Sequence, residues 1–438
     1  MTRTVRPGRL GGRFRVPASK SHTIRALLVA SLAEGTSRII NPLQSDDASS
    51  CMKACRLFGA RITEEGLDGE GRVLVVEGTG GRIKVPPGNI DAGNSGTTLY
   101  FAAALAALSS GEFRFTGDEQ LSSRPAGNLL RSLEDLGAQV SSAEGGRAPF
   151  TIRGPLSGGS TSIECPTSQY LSALLLACPL IPAARTGKGP CPETEIIVPL
   201  LYEEPYVEMT LGWLEEQGIV LEREGLKYFR IPGGQKYRAF TQAVPGDFSS
   251  AAFFLSAAAL TGSTITLGDL DMNDSQGDKA IVSILASLGC GITAQGKDIT
   301  ITGRPLTGRD IDMNAIPDAL PALAAAACFA EGTTRLLNVP QARLKETDRI
   351  RVMDEELTKM GARVRELPDG LEIRGGGKPA LTGCRVNARA DHRVVMALAA
   401  AALGAAGETL IETAEAASVS FPDFFALLER GQEVSFSQ

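Results

Sequence analysis

Histidine is nearly missing from this chain. Only His22 and His392 occur among 438 residues, so a Ser-His-Asp mechanism has little to draw on. Eight cysteines are present (Cys51, Cys55, Cys165, Cys178, Cys191, Cys290, Cys328 and Cys384), but none forms a CxxC pair. Cys51 and Cys55 also lack a nearby histidine pair, which argues against a zinc site. Several cysteines fall in apolar helical runs and read as small core residues of a reducing compartment, so a cytoplasmic location is expected. Basic excess is missing too: the formal charge of −6 leaves no footprint for nucleic acid. No stretch reaches the roughly 18 uninterrupted apolar residues of a membrane span. The first fifteen residues hold five arginines but no apolar h-region, so no secretory signal is expected.

The densest charged stretch is LLNVPQARLKETDRIRVMDEELTKMGARV, residues 336–364. It packs Lys345, Glu346, Asp348 and Arg349 into five residues, and Ile350, Met353, Leu357 and Met360 follow at helical spacing. Thr347 or Asp348 is expected to cap that helix and Gly361 to end it. The cluster then lies at a helix N-terminus, where free N–H groups and the macrodipole favour anions. Two cations beside a carboxylate at such a position suggest an anion-handling site; the alternative is a solvated turn with local ion pairs.

The same outline recurs. A helix that ends near a glycine and leads into a strand is expected at Gly59, Gly137, Gly218, Gly289, Gly361 and Gly431, spaced by 70 to 81 residues. An alanine-rich helix precedes each: RALLVASLAEG, TLYFAAALAAL, YLSALLLACPL, SAAFFLSAAAL, PALAAAACFAEG and VVMALAAAALG. These are apolar on nearly every face and should be buried. Strand signals such as TSRIINPL, EFRFTG, TITLGDL and TRLLNV fall between the paired helices. Six copies of a helix–strand–helix–strand–strand unit, in a chain too long for one ordinary core, give an α/β fold of two domains.

The starts of the six buried helices are chemically similar. They carry Lys20, Ser21 and Arg25; Gly93, Asn94 and Gly96; Thr167, Ser168 and Gln169; Asp247; Asp318; and Asp391 with Arg393. Capping explains the Ser, Thr, Asn and Asp residues but not Lys20, Arg25, Gln169 or Arg393. Three parallel helices per domain, with their N-termini pointing one way, would let two facing domains enclose a positive cleft for a small, highly anionic substrate.

At this point the residues match a known family. PASKSHTIRALLVASLAEG, GNSGT, SSRP, TSQYLSALL, PGDFSSAAFFLSAAA, IPDALPALAAAACFAEGTT, RLKETDR and ADHR resemble, in order and over nearly the whole chain, the 5-enolpyruvylshikimate-3-phosphate synthase family. The resemblance implies a two-domain inside-out α/β barrel with six βαβαββ repeats, three per domain, joined by a hinge of two crossing strands. The hinge falls near Arg15 and Ala239, so one domain spans 16–239 and the other 1–15 with 240–438. It also implies transfer of the enolpyruvyl group of phosphoenolpyruvate to shikimate 3-phosphate, without metal or organic cofactor, nucleic acid or membrane, in a monomer. By motif, Arg124, Arg349 and Arg393 would hold phosphoenolpyruvate. Lys20 and Gln169 would reach both substrates, and Asn94 and Gly96 would line the site. Ser21 and Arg25 would take the acceptor carboxylate, and Thr167 and Ser168 its phosphate. Asp318, Gln341 and Lys345 would lie at its hydroxyls, with Asp318 the base, Glu346 the proton donor, and Lys20 and Lys345 assisting. These ligands divide between the two domains, so shikimate 3-phosphate is expected to draw the halves closed.

Four positions depart from the family pattern. Glu203 stands where a serine often meets the acceptor phosphate, and a carboxylate about 4 Å from that phosphate would cost on the order of 4 kcal/mol per charge pair. Either Glu203 points away or the acceptor differs. Gln341 replaces an asparagine, Val419 a lysine and Tyr100 an arginine. Three competing readings follow. A UDP-N-acetylglucosamine enolpyruvyl transferase would carry a cysteine in the loop that here reads TGDEQLSSRP. A paralogue acting on another hydroxyl acceptor would account for Glu203. A non-catalytic homologue would be expected to have lost Asp318, Lys345 and Glu346.

Overall fold

The protein is described by a computed structural model over residues 1–67, 71–182, 192–376 and 381–436; Cys191 lies outside the described residues. The chain divides into two compact units, Lys20–Val244 and Met1–Ser19 with Pro245–Gln438.

The repeat read from glycine spacing corresponds to a repeated sheet. In the unit Lys20–Val244, strand Ile90–Asp91 runs parallel to Glu112–Thr116, which pairs antiparallel with Arg147–Arg153, itself antiparallel to Gln139–Ala143. Gly159–Cys165, Glu193–Leu201, Tyr228–Pro232 and Glu222–Glu224 repeat that order. Thr241–Ala243, Thr36–Ile40, Gly71–Glu77 and Arg61–Leu67 repeat it again. The unit containing both termini has two further copies, led by Gly11–Arg15 against Thr264–Gly268 and by Asp310–Asp312 against Ala330–Leu337. A mixed α/β architecture results.

Two strands are exchanged relative to chain order. Gly11–Arg15 precedes the helix Lys20–Leu32 but pairs with Thr264–Gly268. Thr241–Ala243 precedes the helix Phe248–Thr261 but pairs with Thr36–Ile40. The sixth copy departs from the expected pattern. Gly431 does not end a helix; it lies inside the helix Phe424–Phe436, where a Cβ would come within 2.7 Å of Phe14. No hairpin follows it among the described residues, and Arg3–Val5 instead pairs with Thr409–Glu412. The other five glycines do terminate, with φ of +109, +106, +70, +123 and +92° at Gly59, Gly137, Gly218, Gly289 and Gly361. Only glycine adopts that region readily.

All six alanine-rich helices are buried. The fifth is shorter than its sequence suggests: it runs Leu320–Ala327, and after Cys328 and Phe329 the chain enters strand Ala330–Leu337. Gly332 is held there by pairing with Gly375, so sheet pairing overrides local helix preference. In this unit the helices Phe248–Thr261, Leu320–Ala327 and His392–Gly404 pack against one another. Alanines at the contacts let the backbones approach closely. Among the described residues no helix is long and apolar enough to cross a membrane. Replacing fully buried Ala400 by leucine should overpack the helix cluster and cost about 1–3 kcal/mol, lowering Tm by several degrees in a thermal melt. An unchanged Tm would show that the contact has slack.

Candidate active site

Each unit gathers one group of the sequence-identified residues. In the unit containing both termini the centre is Arg349, 1 % exposed. It begins the helix Arg349–Lys359, capped by Asp348 through the Arg351 amide, and Gly361 follows the helix end as expected. The stretch is therefore no solvated turn: Arg343 pairs outward with Asp348 and Glu366, while Arg349 turns inward.

Arg349 Nη1 donates to Asp318 at 2.7 Å, Nη2 to Glu346 at 2.6 Å, and Nε to Asp391 at 2.8 Å. Arg393 Nη2 reaches the other oxygen of Asp318 at 3.3 Å, and its guanidinium lies over the Phe253 ring. Burial alone would lower Arg349, but Asp391, Glu346 and Asp318 outweigh it and hold the guanidinium above its ordinary range. Glu346, Asp391 and His392 bring ligand atoms within 4.8 Å of one another, a spacing that suits a cation. The Arg349 guanidinium already rests against both carboxylates and supplies positive charge there.

Asp391 is the residue the sequence reading undervalued. It appeared only as a helix start, yet its fully buried carboxylate accepts from Arg349, from Thr347 Oγ1 at 3.1 Å and from the amides of Arg393 and Val394. The ADHR motif contained the signal: an acid two residues before a buried arginine. Asp318, by contrast, is no cap; it lies in the short 3₁₀ turn Pro317–Ala319. Gln341 donates to the Asn314 carbonyl, while its Oε1 is buried without a hydrogen-bond partner among the described residues. Lys345 follows the 3₁₀ turn Pro340–Leu344 and is half-buried, and Val419 is half-buried at the end of the 3₁₀ turn Ala414–Val419.

In the unit Lys20–Val244, Gln169 Nε2 donates to Thr97 Oγ1, tying the helix starting at Ser168 to that starting at Gly96. A Cβ on Gly96 would lie 3.1 Å from Arg124 Nη1 and 3.4 Å from Gln169 Oε1, so glycine is what lets both approach. Arg124 Nη2 donates to Asn94 Oδ1, and Asn94 Nδ2 to Asp118 and Gln120. Tyr100 packs edge-on to Tyr170, and both hydroxyls donate to the Pro125 carbonyl, bracing the loop that carries Arg124. Lys20 pairs with Asp47 at 3.1 Å. Arg25 is fully enclosed and donates to three neutral oxygens, Thr210 Oγ1, Ser21 O and Tyr206 O. Burial pushes it down to about 9. His22 accepts from the Trp213 indole, so it serves packing.

Glu203 does not point away from the start of the helix Ser168–Ala177. Its carboxylate is buried and turned onto Thr167 and Ser168, accepting from the Ser168 amide at 3.2 Å, Ser168 Oγ at 2.8 Å and Thr167 Oγ1 at 3.3 Å.

The family model described as EPSP synthase (3-phosphoshikimate 1-carboxyvinyltransferase) matches residues 5–428. A 3-phosphoshikimate 1-carboxyvinyltransferase of Acetivibrio thermocellus is 53 % identical over 433 residues, covering 98 % of each chain. One from Ruminiclostridium cellulolyticum is 49 % identical, covering 96 % of each. The solved EPSP synthase of Acinetobacter baumannii superposes with a TM-score of 0.80 at 29 % identity, covering 98 % of each chain.

Removing Asp391 would leave Arg349 buried beside two partly exposed carboxylates. Asp391→Ala should therefore cost about 3–5 kcal/mol, a fall in Tm on the order of 10 °C by calorimetry. A Tm within a degree of the parent would show that the pair does not organise this site.

Proposed function

This chain belongs to the EPSP synthase family, and from that premise we infer the reaction it catalyses: transfer of the enolpyruvyl group of phosphoenolpyruvate to the 5-hydroxyl of shikimate 3-phosphate, releasing phosphate, a step of the shikimate pathway. A proton is added to the methylene carbon of phosphoenolpyruvate while the acceptor oxygen bonds to the adjacent carbon and gives up its own proton. The tetrahedral ketal then loses phosphate and a proton from the new methyl group, which restores the double bond.

The observation that carries the assignment of roles is the sharing of one buried guanidinium by Asp318 and Glu346, at 2.7 and 2.6 Å. Two carboxylates held by a single cation can divide the work, Asp318 as base towards the acceptor hydroxyl and Glu346 as proton donor to the methylene carbon. A substrate anion arriving at Arg349 competes with both and releases them for proton transfer. Arg393, Arg124, Lys20 and Gln169 complete the phosphoenolpyruvate set, with Lys345 and Lys20 stabilising developing charge. On the acceptor, Arg25 and Ser21 take the carboxylate. An arginine enclosed among neutral oxygens gains from such a counter-ion. Thr167 and Ser168 take the phosphate. The buried Oε1 of Gln341 suits a substrate hydroxyl donor. The exchanged strands Gly11–Arg15 and Thr241–Ala243, with five of the six sheets among the described residues built on one pairing order, support an inside-out barrel of three βαβαββ units per domain, crossed twice by the chain.

Purified protein should release phosphate from phosphoenolpyruvate only when shikimate 3-phosphate is present. Lys345→Met and Glu346→Gln should each lower kcat about a hundredfold or more while leaving far-ultraviolet circular dichroism unchanged. Near-normal turnover in either variant would remove that residue from the chemical step.

A further inference from the structure

Glu203 delivers an anion to a place built to receive one. It is 2 % exposed, and its Oε2 draws on three donors at the start of the helix Ser168–Ala177: one free amide and two hydroxyls. The positive end of the helix macrodipole adds to them. The residue adopts φ 61° and ψ 41°, a left-handed backbone that glutamate rarely takes, and retained strain of this kind marks functional positions. The helix Glu204–Glu216 begins at the next residue and also holds Arg25 through Tyr206 O and Thr210 Oγ1.

We propose that Glu203 is an internal occupant of the acceptor's phosphate position: a carboxylate that satisfies Thr167 and Ser168 in the free protein and that the 3-phosphate of the acceptor must displace. This rests on the assignment of Thr167 and Ser168 to that phosphate. A phosphate carries more charge and more acceptor oxygens than a carboxylate, so it can win the exchange, but only by giving up part of its binding energy. An unphosphorylated acceptor leaves Glu203 in place and gives up nothing. Glu203 therefore sets how strongly phosphorylation of the acceptor is rewarded, and it raises KM for the phosphorylated form.

The test uses Glu203→Gln, which removes the charge at constant size, and Glu203→Asn, which also tolerates the left-handed backbone. Both should lower KM for shikimate 3-phosphate about tenfold, equivalent to about 1.4 kcal/mol, with a much smaller change in KM for phosphoenolpyruvate. Preference for shikimate 3-phosphate over shikimate should rise by a similar factor. A second measurement needs no turnover. Inorganic phosphate should raise the Tm of either variant more than that of the parent, and adding Ser168→Ala should abolish the difference. Unchanged KM together with an equal phosphate response would overturn the proposal, as would a phosphate gain that survives loss of Ser168. If the parent released no phosphate with shikimate 3-phosphate, the reaction assigned above would fail, while the Tm comparison would still decide the place of Glu203.

Discussion

A buried helix must satisfy its first N–H groups without bulk water, and in this chain that requirement organises the rest. Six alanine-rich helices lie inside the two units, and at four of them the cap is a single side chain: Ser95, Thr167, Asp247 and Asp391. Once a helix start is buried, whatever caps it is also buried. Polar groups brought there for backbone reasons then become the groups on which further chemistry is built. Asp391 caps the helix His392–Gly404 and orients Arg349 with the same carboxylate. Thr167 caps the helix Ser168–Ala177 and also donates to Glu203.

The consequence is a site in which charges are held by one another rather than by water. Arg349 would be costly to bury alone, and Asp391 equally so; together, with Asp318 and Glu346 on the remaining guanidinium faces, they are mutually satisfied. The roles proposed for Asp318 and Glu346 draw on this balance: a substrate anion would compete for the hydrogen bonds that Arg349 donates to them. The other unit shows the complementary situation, a buried Arg25 among neutral oxygens and a buried Glu203 on a helix start.

Much of this architecture was legible in the linear sequence. Glycines at regular spacing marked five helix ends because left-handed backbone leaves few other choices, and continuous apolar faces marked six buried helices. The same reasoning misplaced Gly431, which serves close packing against Phe14 inside a helix. It also overextended the fifth buried helix, where pairing of Gly332 with Gly375 converts a helix-favouring segment into strand. Both misses have one cause: a residue's local preference yields when a partner distant in sequence offers more.

Sequence alone determined which residues could do chemistry, because residue type and order along the chain set the motifs, and type determines charge and hydrogen-bonding capacity. Lys345, Glu346 and Arg349 stand together in five residues whatever the fold, and Asp391 and Arg393 in three. Only the tertiary structure decided which of them meet. Asp318, Arg349 and Asp391 are dispersed along the chain and converge because a buried guanidinium needs several carboxylate oxygens within 3 Å. The same holds for Glu203: its charge could be read from the sequence, but not its direction. A left-handed backbone at that residue turns the carboxylate onto Ser168, where the amide and hydroxyls of a buried helix start stabilise it.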